Sequence, residues 1–148
     1  MSTKTQDINT ECINTCNSLL RGELSAVETY EKAIAKYPSE KETATLCRIK
    51  EEHQASVRDL QENIKAMCGI PDTDSGSWGT FATAVQDTAN LFGEESAMAA
   101  LKQGEKHGEN EYFEAIDNDS TLPACRTLIQ TRLLPRVKAH VQTIDSLS

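Results

Sequence analysis

The chain is 148 residues long, carries a formal net charge of −8, and is 38% hydrophobic but only 5% aromatic. That length suits a single domain, 1–148, with one sizeable core, and the acid excess, relieved by no basic block, argues against nucleic acid and anionic membrane surfaces as partners. No apolar run approaches a membrane span, and the stretch Met1 to Asp7 lacks a signal-peptide core, so a cytoplasmic protein is expected.

Glycine and proline are few and sit at a handful of places, which favours long helices over many short strands. The spacing predicts a first helix from about Asp7 to Lys36. Its seam is Ile13, Cys16, Leu20, Glu23, Val27, Tyr30 and Ile34, alternately three and four residues apart. Glu23 is the only charged residue on it. Tyr37-Pro38 should end the helix, with Ser39 as N-cap and Glu42 completing a capping box for the next.

The second helix should run from Glu40 to Cys68, with seam Leu46, Ile49, His53, Val57, Leu60, Ile64 and Met67. Gly69 fits a left-handed C-terminal cap, and Ile70-Pro71 enforces the stop. The short loop near Pro38 makes these two helices an antiparallel hairpin, the pair 7–68. Asp72 to Gly76 is polar and turn-rich, and Trp78 to Phe92 is a shorter amphipathic segment closed by Gly93. The stretch 69–93 therefore reads as a long crossover carrying a short extra helix.

A second pair, 94–147, follows. The third helix is expected from Glu94 to Ile116, with seam Ala97, Leu101, Glu105, Gly108, Tyr112 and Ala115. Asp117 to Ser120 is a loop, Ser120 or Thr121 is the expected cap, and Pro123 is tolerated in the first turn of the fourth helix. That helix has seam Cys125, Ile129, Leu133, Val137, His140, Ile144 and Leu147. Pro135 inside it predicts a kink or bulge ahead of His140.

The two pairs repeat one another. Gly22-Glu23, Tyr30 and Ala33-Ile34 recur 82 residues later as Gly104-Glu105, Tyr112 and Ala115-Ile116, and a histidine follows each copy, His53 and His140. Each long helix thus carries one titratable residue on an otherwise apolar seam. Burying such a group without a partner is costly, so the four should meet near mid-bundle. Two readings follow: Glu23–His53 and Glu105–His140 are buried salt bridges that fix register, or the four residues bind a divalent transition metal. Two histidines and two glutamates, duplicated and level, favour the metal. Tyr30 and Tyr112, two turns past each Glu on the same face, read as core tyrosines or as hydrogen-bond partners of the ligand carboxylates. His107 is read as exposed, and Glu28 and Glu52 as flanking or surface carboxylates.

Arg21-Gly22-Glu23-Leu24-Ser25-Ala26-Val27-Glu28-Thr29-Tyr30 resembles the first helix of a bacterial ferritin-like family, the domain of unknown function DUF2383. Ser75-Gly76-Ser77-Trp78-Gly79-Thr80-Phe81 and Gly104-Glu105-Lys106-His107-Gly108 are similar to it as well, and the likeness covers nearly the whole chain after Ile8. The resemblance implies an all-α, ferritin-like four-helix bundle related to ferritins and rubrerythrins, but no reaction. Di-iron members of the wider group carry Glu-x-x-His on their second and fourth helices. Here Lys50 stands three residues before His53 and Val137 three before His140, so both of those carboxylates are missing. Two carboxylates and two imidazoles suit one ion; a second would need help from Glu109, Glu28, Glu52, waters or an exogenous bridge.

The leading expectation is a metal-binding protein using Glu23, His53, Glu105 and His140 for one or two ions, iron first and zinc next, with O2 or peroxide chemistry at iron by resemblance to rubrerythrins. A homo-oligomer is left open. The first alternative is a non-enzymatic structural or stress-related bundle with internal Glu–His pairs. The second is a thiolate metal-handling module. The five cysteines, Cys12, Cys16, Cys47, Cys68 and Cys125, are odd in number and argue against a disulfide framework. Cys12, Cys16, Cys68 and Cys125 should fall toward the end of the bundle where the first helix begins.

Overall fold

The computed structural model describes residues 3–36, 40–75 and 94–147. Helix α1 spans Thr3–Lys36, α2 Glu40–Ala66 and α3 Glu94–Asp117. A fourth rod is built from α4 (Pro123–Leu128), a π-helical turn (Ile129–Leu133) and α5 (Leu134–Leu147). No strand occurs among the described residues. The amphipathic segment Trp78–Phe92, the Tyr37-Pro38 stop and the capping serine Ser39 lie outside them.

Side-chain contacts fix the direction of each rod. Asn9 donates to the Met67 carbonyl, Asn63 to Cys16, and His53 lies on Glu23, so α2 runs antiparallel to α1. Tyr30 reaches Glu105 and Tyr112 reaches Glu23, which sets α3 antiparallel to α1 as well. His140 meets both Glu105 and Glu52, while Arg132 and Arg136 meet Asp59, so the fourth rod opposes both α2 and α3. Consequently α2 and α3 point the same way. The C-terminal end of α2 and the N-terminal end of α3 therefore lie at opposite ends of the bundle. The residues after α2 run back along α1: Asn17 holds the Ile70 carbonyl and the Asp72 N–H, Arg21 pairs with Asp72, and Ser75 donates to Glu28.

Local signals set the helix ends, with two corrections. Gly69 is not the left-handed residue after α2; Cys68 is, at φ 65°. The Gly69 N–H bonds to the Ile64 carbonyl and the Cys68 N–H to Lys65, the paired bonds of a Schellman cap. Glycine is needed one position later for room. A Cβ there would lie 2.8 Å from Ile13 Cγ2 and 3.0 Å from Ile64 Cγ2, both on branched side chains with little freedom to yield. Gly69→Ala should therefore cost about 1–3 kcal/mol by overpacking. A urea-denaturation midpoint that falls with the slope unchanged is the expected reading.

The second correction concerns the fourth rod. Its N-cap is Leu122, not Ser120 or Thr121, and no side chain caps it. Pro123 at the first helical position forces the preceding residue into extended backbone, and Leu122 complies at φ −68°, ψ 151°. The Leu122 carbonyl takes the first helical bond, from Arg126. Ser120 donates instead to Glu11, and Thr121 is buried with its hydroxyl unpartnered.

The disruption foreseen at Pro135 appears as the π turn just before it. There the Leu134 N–H bonds to the Ile129 carbonyl, five residues back. The seam itself is as expected, with Cys125, Ile129, Leu133, Val137, His140 and Ile144 all buried.

The apolar core falls into two clusters. One gathers Cys12, Cys16, Leu20, Leu60, Ile64, Cys125, Ile129 and Leu133, and the other Tyr30, Ala33, Leu46, Ile49, Leu101 and Ile144. Between them in every rod's sequence lies the titratable residue of the seam: Glu23, His53, Glu105 and His140.

Candidate metal centre

Burial without a partner would be prohibitive for these four groups, and the bundle supplies partners for all of them. Glu23, His53, Glu105 and His140 are each 5% exposed or less and form one connected layer. His53 is its centre. Its Nδ1 lies 2.5 Å from Glu23 Oε2, and its Nε2 lies 2.8 and 3.0 Å from the two oxygens of Glu105. His140 Nδ1 lies 3.2 Å from Glu105 Oε1, and its Nε2 lies 2.8 Å from Glu52 Oε1. The imidazole centroids are 4.6 Å apart. The order is thus Glu23–His53–Glu105–His140–Glu52, with Glu105 shared by both rings.

Tyr30 and Tyr112 complete the layer by crossing between the repeats. Tyr30 donates to Glu105 at 3.3 Å, and Tyr112 donates to Glu23 at 2.5 Å, each to the carboxylate of the other copy. Tyr30 also stacks on His53, with ring centroids 5.5 Å apart. The sequence repeat is therefore a local two-fold relation, broken at one place. By symmetry, His140 Nε2 should reach Glu23 as His53 Nε2 reaches Glu105. It turns to Glu52 instead, which precedes His53; the residue preceding His140 is Ala139, so only one ring has such an alternative.

The electrostatics follow from this geometry. Burial raises the Glu105 carboxyl, but His53 and His140 outweigh it and hold it down to about 2. Burial lowers His53, yet Glu105 and Glu23 reverse that and keep it well above the ordinary imidazole range. Tyr30 and Tyr112 are pushed well above theirs, first by burial and then by the carboxylates they face. Both tyrosines are thus phenolic donors at neutral pH.

One ligand atom each from His53, Glu105 and His140 lies within 4.8 Å of the others, a group able to hold a metal ion. Glu23 sits one hydrogen bond outside it, on the far nitrogen of His53. Glu52 does the same for His140 and is the participant that seam reading placed on the surface; its side chain is 40% exposed. A cavity of about 60 Å³ borders the layer, lined by Gly22, Glu23, Tyr30, His53, Gly104, Glu105, Gly108 and Tyr112 among others. The repeated glycines open this space: Gly22 and Gly104 each precede the layer's glutamate. His107 is exposed as expected, beside Glu111.

A second buried group comprises Cys12, Cys16 and Cys125. Of the four thiols expected at that end, Cys68 stays out, exposed beyond the α2 cap; Cys47 is partly buried.

Fold and site together define an all-α bundle of four rods, with buried carboxylate–histidine and thiol groups able to hold metal ions. The chain belongs to the family described as Domain of unknown function (DUF2383), which matches residues 11–118. That match covers Glu23, His53 and Glu105 and ends before His140. No curated protein and no solved structure matches. Among the described residues, no helix is long and apolar enough to cross a membrane.

Proposed function

We propose that this protein is a ferritin-like metal-binding protein that holds one divalent transition metal ion in the polar layer. His53 Nε2, His140 Nδ1 and a Glu105 oxygen would be its ligands. The observation that carries this reading is the pairing of ring nitrogens. Each imidazole turns one nitrogen toward the shared Glu105 and the other toward a carboxylate of its own, Glu23 or Glu52. Metal-bound histidines are held in this way, with the outer nitrogen donating to a carboxylate that fixes the tautomer. Glu23, a ligand in the seam reading, becomes the residue that positions His53.

A divalent ion is also compatible with the charge of the layer. Three carboxylates give the layer −3, and two positive charges bring it to −1. One divalent ion between neutral rings supplies those two charges. Two histidines and a single carboxylate suit iron(II) or zinc, and the missing Glu-x-x-His carboxylates favour one ion over two. Iron with open positions would supply O2 or peroxide chemistry. The chain's own part would be to admit a small reactant into the cavity beside Tyr30 and Tyr112, whose phenolic protons face the carboxylates.

Metal analysis of tag-free protein should find stoichiometric iron or zinc, lost in His53→Ala and His140→Ala. Glu23→Gln and Glu52→Gln should weaken binding about 10–100-fold without abolishing it. Full helicity and unchanged melting in chelator, with no metal bound, would favour the rival reading. That rival is an ion-pair network with no cation, and it has its own support: every ring nitrogen of His53 and His140 already faces a carboxylate.

A further inference from the structure

We infer that Cys12, Cys16 and Cys125 form a second metal site, a three-sulfur site for a soft monovalent ion of the copper(I) type, independent of the carboxylate layer. The three sulfurs come from two rods. Cys12 and Cys16 lie one turn apart on α1, and Cys125 faces them from α4. All three are at most 1% exposed, and their sulfurs lie within 4.8 Å of one another. Seven residues separate Cys16 from Glu23, about 10 Å along α1, so the two sites are distinct.

Cys16 and Cys125 Sγ are 2.8 Å apart, hydrogen-bonded thiol to thiol. A disulfide between them would leave Cys12 unused. Two donors also point at these sulfurs: the Leu122 N–H at Cys12 and the Asn63 amide at Cys16, both at 3.4 Å. Donors aimed at sulfur favour the thiolate, the form that ligates metals. Leu122 is available because Pro123 ends the preceding backbone in an extended turn.

The donor count selects the ion. Thiolates favour copper(I), zinc and iron–sulfur clusters, and structural zinc takes four ligands. Here the group ends at three, with no fourth Cys, His or carboxylate among the described residues, and its surroundings are Leu20, Leu60, Ile64 and Ile129. A monovalent ion content with three soft ligands fits that pocket. A metal about 2.3 Å from each sulfur sets them about 4 Å apart, so Cys16 and Cys125 must part by about 1 Å. Binding releases the thiol protons to solvent.

The test uses the full chain carrying Cys47→Ser and Cys68→Ser, which removes the two thiols outside the group. Fully reduced protein is titrated anaerobically with copper(I) against a chromophoric copper(I) chelator. The protein should take up stoichiometric copper, and X-ray absorption should show three sulfur neighbours. Cys12→Ser should lower the affinity at least about 100-fold, the upper end of what losing a mere supporting group costs. His53→Ala and His140→Ala should leave it unchanged. Copper left on the chelator, two sulfur neighbours, or displacement by equimolar zinc would each overturn the assignment. The sulfur count decides the matter even if Cys12→Ser fails to fold.

Discussion

Glu105→Ala should destabilise the metal-free protein by about 3–5 kcal/mol, the usual cost of removing one partner from a buried charge pair. Glu105 is the one carboxylate that both imidazoles share, and it also accepts the Tyr30 hydroxyl. Its loss leaves His53 Nε2 and His140 Nδ1 facing a void between two apolar clusters. In a chain of this size the melting temperature should fall by roughly 10 °C. Glu105→Gln keeps the volume and removes the charge, so most of the loss should persist in it. A denaturation midpoint within error of the parent in both variants would show that the layer contributes nothing to folding.

The second large effect is on pH dependence, where the two readings of the layer part company. Glu105 is held down to about 2 in the folded chain. Its contribution is therefore present above the unfolded carboxyl range, near 4.3, and lost as pH falls toward 2. His53 is raised well above its ordinary value. Its contribution is full below the unfolded imidazole value, near 6.5, and is lost as pH rises through the folded one. Metal-free protein should thus be most stable between about pH 4.5 and 6.5 and decline on both sides. Metal reverses the alkaline limb, because ligating imidazoles are neutral and binding releases their protons. Melting curves with and without iron(II) or zinc should accordingly diverge as pH rises from 6 to 9. Superimposable curves would remove the metal from the account and leave the ion pairs.

Much of this arrangement is legible in the amino-acid sequence. A charged residue on an apolar seam is an anomaly that demands a partner, so Glu23, His53, Glu105 and His140 announced themselves, and equal distances from Pro38 placed Glu23 and His53 at one level, with Glu105 and His140 less symmetric about their own loop. What escaped depends on which rods are neighbours. Glu52 lies about 100° round the helix from His53, off the α2 seam, and it matters only because α5 packs against that side. Gly69 looked like a left-handed cap because glycine so often is one; its actual constraint is Ile13, approaching from α1. Cys68 could not be separated from the other thiols by periodicity, since the cap residue's direction is set by the Schellman turn.

The fourth rod hid a further signal. Cys125, Ile129, Leu133 and Val137 are spaced by three consecutive fours, twelve residues where three helical turns need about 10.8. The surplus is taken up by the wide turn at Ile129–Leu133. It gives the rod two azimuths, one for the thiol end and one for the imidazole. Shortening that stretch by a single residue would swing His140 about 100° off Glu105 while leaving Cys125 where it stands.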